Sequence, residues 1–122
     1  MIKKATLLNT KVVPSDTNPT LAIASTTGID VVIDTVIVTN TDGSSHNYEL
    51  LIAENGETGS SAVAIVSTNS LAGNTAEIGN LAGIPFDVTL TGGQSLYVKS
   101  DSASNLAFRV MGKKFSAGRI SE

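Results

Sequence analysis

Apolar and polar residues alternate with a period of two along most of this chain, which is the pattern of half-buried β-strands. Residues 2–8 (IKKATLL) begin it as a short, partly alternating segment. Residues 12–20 (VVPSDTNPT) follow as a loop: Pro14 and Pro19 cannot donate to a sheet ladder, and Ser15, Asp16 and Asn18 close turns. Alternation resumes at 20–26, with Leu21 and Ile23 on one face, and Thr27 and Gly28 break it. Residues 29–40 (IDVVIDTVIVTN) are the strongest strand, because nearly every apolar position is β-branched and packs well on a pleated surface. Strict alternation fails there: Asp30 and Asp34 share parity with Val32 and Val36. Either a bulge near Asp34 and Thr35 resets the phase, or Val36 to Val38 is buried on both faces.

Thr41-Asp42-Gly43-Ser44 reads as a turn, since Asp-Gly tolerates positive φ. Tyr48, Leu50 and Ile52 share one face of the next strand, NGETGS (55–60) turns, and Val63 and Ile65 point inward from a strand at 61–68. Residues 69–83 are ambiguous: Leu71, Ile78 and Leu81 are too widely spaced for one strand, and Gly73, Gly79 and Gly83 oppose a helix. Phe86, Val88 and Leu90 then alternate with polar residues. Gly92-Gly93 turns, Leu96 and Val98 alternate, 101–105 turns, and Leu106, Phe108 and Val110 alternate to the end of the pattern. Residues 113–122 read as a polar tail with one apolar point at Phe115. The result is an all-β chain of roughly seven to nine strands in an antiparallel β-sandwich, of jelly-roll or immunoglobulin-like topology. The expected organisation is an N-terminal arm at 1–19, a sandwich at 20–112 and a basic tail at 113–122.

Composition strengthens the all-β reading and removes many chemistries. The chain has 122 residues, enough for one domain with a core of its own, and 41% are hydrophobic. Thr and Ser number 14 each, Asn 9 and Gly 11, a profile of strands and turns rather than helical bundles. Cys is absent, so disulfides and thiolate metal sites are excluded. No apolar run approaches the ~18 residues of a membrane helix, so no membrane partner is expected. Lys3 and Lys4 precede no apolar stretch of the secretory kind. The single histidine, His46, sits at a turn or strand start and reads as a turn residue rather than a base or ligand. No Gly-x-Ser-x-Gly elbow, His-Glu-x-x-His pair or phosphate loop is present. Asp42 with Asn40 and Asn47 has the oxygen donors for a loop calcium site, but not the spacing, and a turn-forming Asp is the simpler account. The chain is therefore expected to be non-enzymatic and to need no cofactor.

Charge changes the picture once it is read by position. The net charge of −3 hides +3 over residues 1–11, −9 over 12–98 and +3 over 99–122. That distribution reads either as solvation and chance or as a polarised particle whose basic ends meet an acidic partner surface. The candidate contacts are Lys3, Lys4, Lys11, Lys113, Lys114 and Arg119. Nucleic acid is not expected as the partner: the cations are few, and only Phe115 interleaves with them.

Two stretches resemble small virion proteins of tailed bacteriophages: IDTVIVTNTDGSSHNYELLIA (33–53) and GGQSLYVKSDSASNLAFRVMGKKF (92–115). The matching positions are Val38, Asn40, Thr41 and Gly43, then Leu90, Gly93, Ser95, Leu96, Val98 and Gly112. The resemblance covers roughly residues 20–115. It implies a structural virion protein that binds and stabilises a capsid as a decoration or cement subunit. The implied partner is the major capsid protein, the assembly a homotrimer and the location the outer capsid surface. The alternative it implies is a tail or head-fibre accessory module that recognises a host glycan through loops 41–47, 55–60 and 100–105, with Tyr48, Asp42 and Asn55 as contacts.

Overall fold

A computed structural model describes residues 4–26, 28–73, 76–78 and 88–116. These hold nine strands: β1 Lys4–Val12, β2 Thr20–Ala24, β3 Ile29–Asn40, β4 His46–Ala53, β5 Val63–Leu71, β6 Ala76–Ile78, β7 Val88–Leu90, β8 Ser95–Ser100 and β9 Leu106–Ser116. They form two antiparallel sheets. The first runs β1-β9-β3-β6, with β7 also on β3, and the second runs β2-β8-β4-β5.

The pairing is nested. β4 pairs with β5, β3 with β6 and β7, β2 with β8, and β1 with β9. β6 and β7 follow one line along the same side of β3, so they act as one interrupted strand. The chain is thus one long antiparallel ribbon rolled over itself, closed by the β3–β9 and β4–β8 pairings. That order is a jelly roll, which decides against the immunoglobulin-like arrangement.

The core lies between the sheets and is built from the alternating positions. Val31, Ile33, Val36, Val38, Leu50, Leu96, Val98, Leu106, Phe108 and Val110 are all at most 2% exposed. Tyr48 joins them, edge-on to Phe108 with ring centroids 6.0 Å apart. In β3 the buried positions are 31 and 33, then 36, 38 and 40. The phase changes because the register against β9 shifts between Ile33 and Thr35, leaving Asp34 exposed as the extra residue. Of the two readings that the parity of Asp34 left open, the bulge is the one found, with Val36 and Val38 buried and Ile37 between them only partly so. Opposite it sits Gly112, where a Cβ would run into the Val32 carbonyl oxygen. The Gly92-Gly93 turn has positive φ at both residues, +60° and +90°, closed by Gln94 N–H donating to the Thr91 carbonyl at 3.0 Å.

Several expectations are revised. The strands reach past both ends of the expected 20–112 body, because Leu8, Thr10 and Val12 form a buried to half-buried strand face and Lys113 to Ser116 continues β9. Leu21 and Ile23 are not simple face-mates: a register shift separates them, Ala22 is buried and Leu21 is exposed. Val63 lies at the start of an edge strand and is 70% exposed rather than inward. In the ambiguous region, strand structure covers residues up to Leu71 and 76–78. Phe86 and Leu81 lie outside the described residues.

Candidate functional site

One end of the sandwich gathers the β3–β4 turn, the β8–β9 loop, the ends of β1 and β5, and His46. Asn40 closes β3 there, with its side chain 1% exposed. Its amide Nδ2 donates towards the carbonyls of Ser44 at 2.9 Å, Leu71 at 3.0 Å and Ala72 at 3.2 Å, while its Oδ1 accepts the Asp42 N–H at 2.9 Å. Two amide protons thus serve three acceptors in a shared arrangement. The turn is held against the chain leaving β5, so tightly that a Cβ on Gly73 would meet the Gly43 carbonyl oxygen. The loop after β1 is tied in as well, through Ser104 N–H to the Pro14 carbonyl at 2.8 Å.

His46 sits between two carboxylates. Its Nε2 is 2.7 Å from Asp42 Oδ2 and its Nδ1 is 3.0 Å from Asp101 Oδ1, with the ring only 14% exposed. Asp101 also accepts the Asn47 N–H at 2.9 Å and returns its own N–H to the Asn47 carbonyl at 3.1 Å. The hydrogen bond to Asp42 raises the His46 pKa above the usual 6.5, against the opposing effect of burial, and Asp101 adds to the rise. Asp42 is lowered below the usual 3.8, first by His46 and then by the Gly43 N–H. Only the doubly protonated imidazole donates to both neighbours. In that form it has no free lone pair and clasps two loops. The side chains of Asn40 and Asp42 are likewise spent on the turn and on His46. Among the described residues no cluster of three or more His, Asp or Glu is arranged to hold a metal ion.

The predicted basic contacts are only partly brought together. Lys3 and Arg119 lie outside the described residues. The β1–β9 register sets Lys4 opposite Ser116 and Thr6 opposite Lys114, on the same alternation as buried Leu8 and Val110, and Lys114 is half-buried. Lys11 and Lys113 fall on the other alternation and face solvent. Arg109, which the sequence reading did not select, lies opposite Lys11 and donates to Asn9 Oδ1 at 2.7 Å. The signal for it was available: Arg109 shares parity with Lys113 in one strand, about 13 Å away. Between these cations the outer face of the first sheet sets apolar Leu7 and Met111 beside Asn9, Asp34 and Thr35. Leu7 is 82% exposed, and an open groove of about 330 Å³ is lined by Leu7, Met111, Thr35, Lys113 and Asp34.

The outer face of the second sheet differs. Lys99 there is 3.6 Å from Glu49, and the outward Leu51 and Ala53 are buried. The 3-10 turn Gly59–Ser61 comes back towards this face: a Cβ on Gly59 would stand 2.8 Å from Pro19 and 3.0 Å from the Tyr97 ring. Of the residues expected at a glycan-binding end, Tyr48 is 3% exposed and part of the core, so its ring is not presented at the surface.

No protein family and no curated protein sequence matches the chain. The fold does have solved counterparts. A chain from the capsid of Ralstonia phage GP4 is similar with a TM-score of 0.53 at 9% sequence identity, over 98% of this chain and 86% of that one. A chain from infectious bursal disease virus, Gx strain, has a TM-score of 0.48 at 11% identity, and this chain spans about a third of its length. At such identities the likeness to the phage capsid chain is one of fold.

Proposed function

We propose that this chain is a non-enzymatic structural virion protein that binds and stabilises a phage capsid as a decoration or cement subunit. One observation carries the reading: the jelly roll corresponds almost end to end with a chain of a phage capsid, 98% of this chain and 86% of that one. Three features support it. The only histidine is committed to a loop clasp. The described residues are mostly strand, and the chain is rich in Thr and Ser, 14 of each. The outward cations Lys11, Arg109 and Lys113 lie on a face suited to a partner surface of opposite charge.

In this reading the partner is the major capsid protein on the outer shell, and the subunit is a homotrimer matched to a local threefold axis. Many weak contacts then hold durably through repetition. Lys11 and Lys113 make the central contacts, and Lys3, Lys4, Lys114 and Arg119 contribute from the chain ends. Deleting residues 1–11 would remove most of a sheet strand, so charge reversal is the cleaner test. The Lys11→Glu/Lys113→Glu variant, folded by circular dichroism, is expected to lose co-sedimentation with capsids that retain the wild-type protein. Quantitative mass spectrometry of virions is expected to count hundreds of copies per particle. Undiminished sedimentation of the variant would refute the contact, and a copy number of a few to tens would refute the decoration role.

A further inference from the structure

Four sheet edges are present among the described residues, and three are blunted. β2 has five residues and a register shift. β5 shifts register twice against β4. The β6–β7 edge is two three-residue stretches. β1 is different. It has nine residues, contains no proline, and pairs with β9 in unbroken register from Lys4↔Ser116 to Val12↔Phe108. A long, regular edge presents a row of backbone donors and acceptors and is a ready template for one more strand.

Side chains along this edge define what strand it would take. Leu7, Asn9 and Lys11 project outward, with Lys113 and Arg109 beside them on β9. Residues 1–11 carry three lysines and no acid. Asp34, at the bulge, is the one acid lining the groove by Leu7. A second copy of β1 would bring like charges together, which is unfavourable across a strand pair. The other edges of this chain offer little acid: β2 and β5 have none and β6 has Glu77 alone.

We propose that the free edge of β1 accepts an extended, acidic segment of a different protein as an added strand of the first sheet. Backbone hydrogen bonds to β1 supply the affinity. Carboxylates on the outward alternation of the guest lie beside Lys11 and within reach of Arg109 and Lys113 one strand further in. The proposal deepens the capsid-binding reading and rests on it for the owner of the strand.

The probe is an acetylated decapeptide alternating Val and Glu, with its Val–Lys counterpart as control, added to the full chain. Hydrogen exchange is expected to show new protection at alternate amides of residues 4–12 with the Glu peptide alone. Fluorescence anisotropy is expected to show binding weakened at least tenfold by Lys11→Glu/Lys113→Glu, and weakened by salt. No protection at millimolar peptide, or equal protection by the Lys peptide, would overturn it. So would a dimer of the free chain that Leu7→Glu dissociates, since the edge would then belong to a second copy. Capsid co-sedimentation is read separately. Capsid binding without peptide binding removes this proposal and leaves the capsid reading standing, and the reverse pattern does the opposite.

Discussion

The two ends of the sandwich are tied by different chemistry. At the end holding Asn40, His46 and Asp101, the loops are joined by a buried amide and a carboxylate–imidazole–carboxylate clasp. At the opposite end, the loops after β2, β4 and β7 are joined by a hydroxyl, an amide and the Glu54 carboxylate, with no histidine among them. Ser25 Oγ donates to the Gln94 carbonyl at 2.9 Å and accepts the Gly93 N–H at 3.1 Å, and Gln94 Nε2 donates to Glu54 at 3.0 Å. Both ends solve the same problem, satisfying backbone groups where strands leave the sheets. Only the first makes its solution depend on a histidine, so it is the end expected to respond to pH near neutrality.

The largest break of this comparison is Asn40→Ala. It removes the side-chain hydrogen bonds to the Ser44, Leu71 and Ala72 carbonyls and the acceptor of the Asp42 N–H, at a residue 1% exposed. The expected cost is about 3 kcal/mol, read as a drop of roughly 10 °C in the melting temperature. Next comes pH itself. His46 has a raised pKa in the folded state, so its contribution is complete below the usual 6.5 and is lost as pH rises through the folded value. Asp42 has a lowered pKa, so its contribution is present above the usual 3.8 and is lost as pH falls through the folded value. The clasp is therefore strongest in mildly acidic solution. Thermal melts are expected to show stability declining from pH 6 to pH 9 in the wild type, with that slope absent in His46→Gln. A slope that survives in His46→Gln would place the sensing group elsewhere.

How much of this was legible in the sequence depends on the range of the interaction. The β3 bulge was legible because Asp30 and Asp34 conflict with Val32 and Val36 within a few residues. The Gly92-Gly93 turn was legible because two adjacent glycines suit positive φ. His46 was read as a turn residue because its partner Asp101 lies 55 positions away and leaves no local trace. Asn40 was read as the end of a strand and as an oxygen donor, yet its side chain holds a segment 31 residues on. The choice of jelly roll over immunoglobulin-like order likewise rests on which strands pair, and period-two patterns are the same in both. Residues 113–116 looked like a tail because Lys113-Lys114 masks the alternation that continues from Met111 to Phe115. The cationic face formed by Lys11, Arg109 and Lys113 appears only once β1 is laid against β9.

The smaller predictions belong to the end without histidine and sharpen the contrast. Ser25→Ala removes a hydroxyl that is both donor and acceptor in a residue 4% exposed. Gln94 keeps the Ser25 N–H on its carbonyl, at 2.9 Å, so the orphaned group is the Gly93 N–H and the cost is about 1 kcal/mol. Gln94→Ala loses the contact to Glu54 and the acceptance of the Thr91 N–H, both solvent-exposed, so water replaces them and the cost is about 0.5 kcal/mol. Neither group titrates between pH 6 and 9. Both variants are therefore expected to melt with the wild-type pH slope, displaced downward in parallel. If either flattened the slope, the two ends would be coupled through the strands, and the histidine clasp would be a property of the whole sandwich rather than of one end.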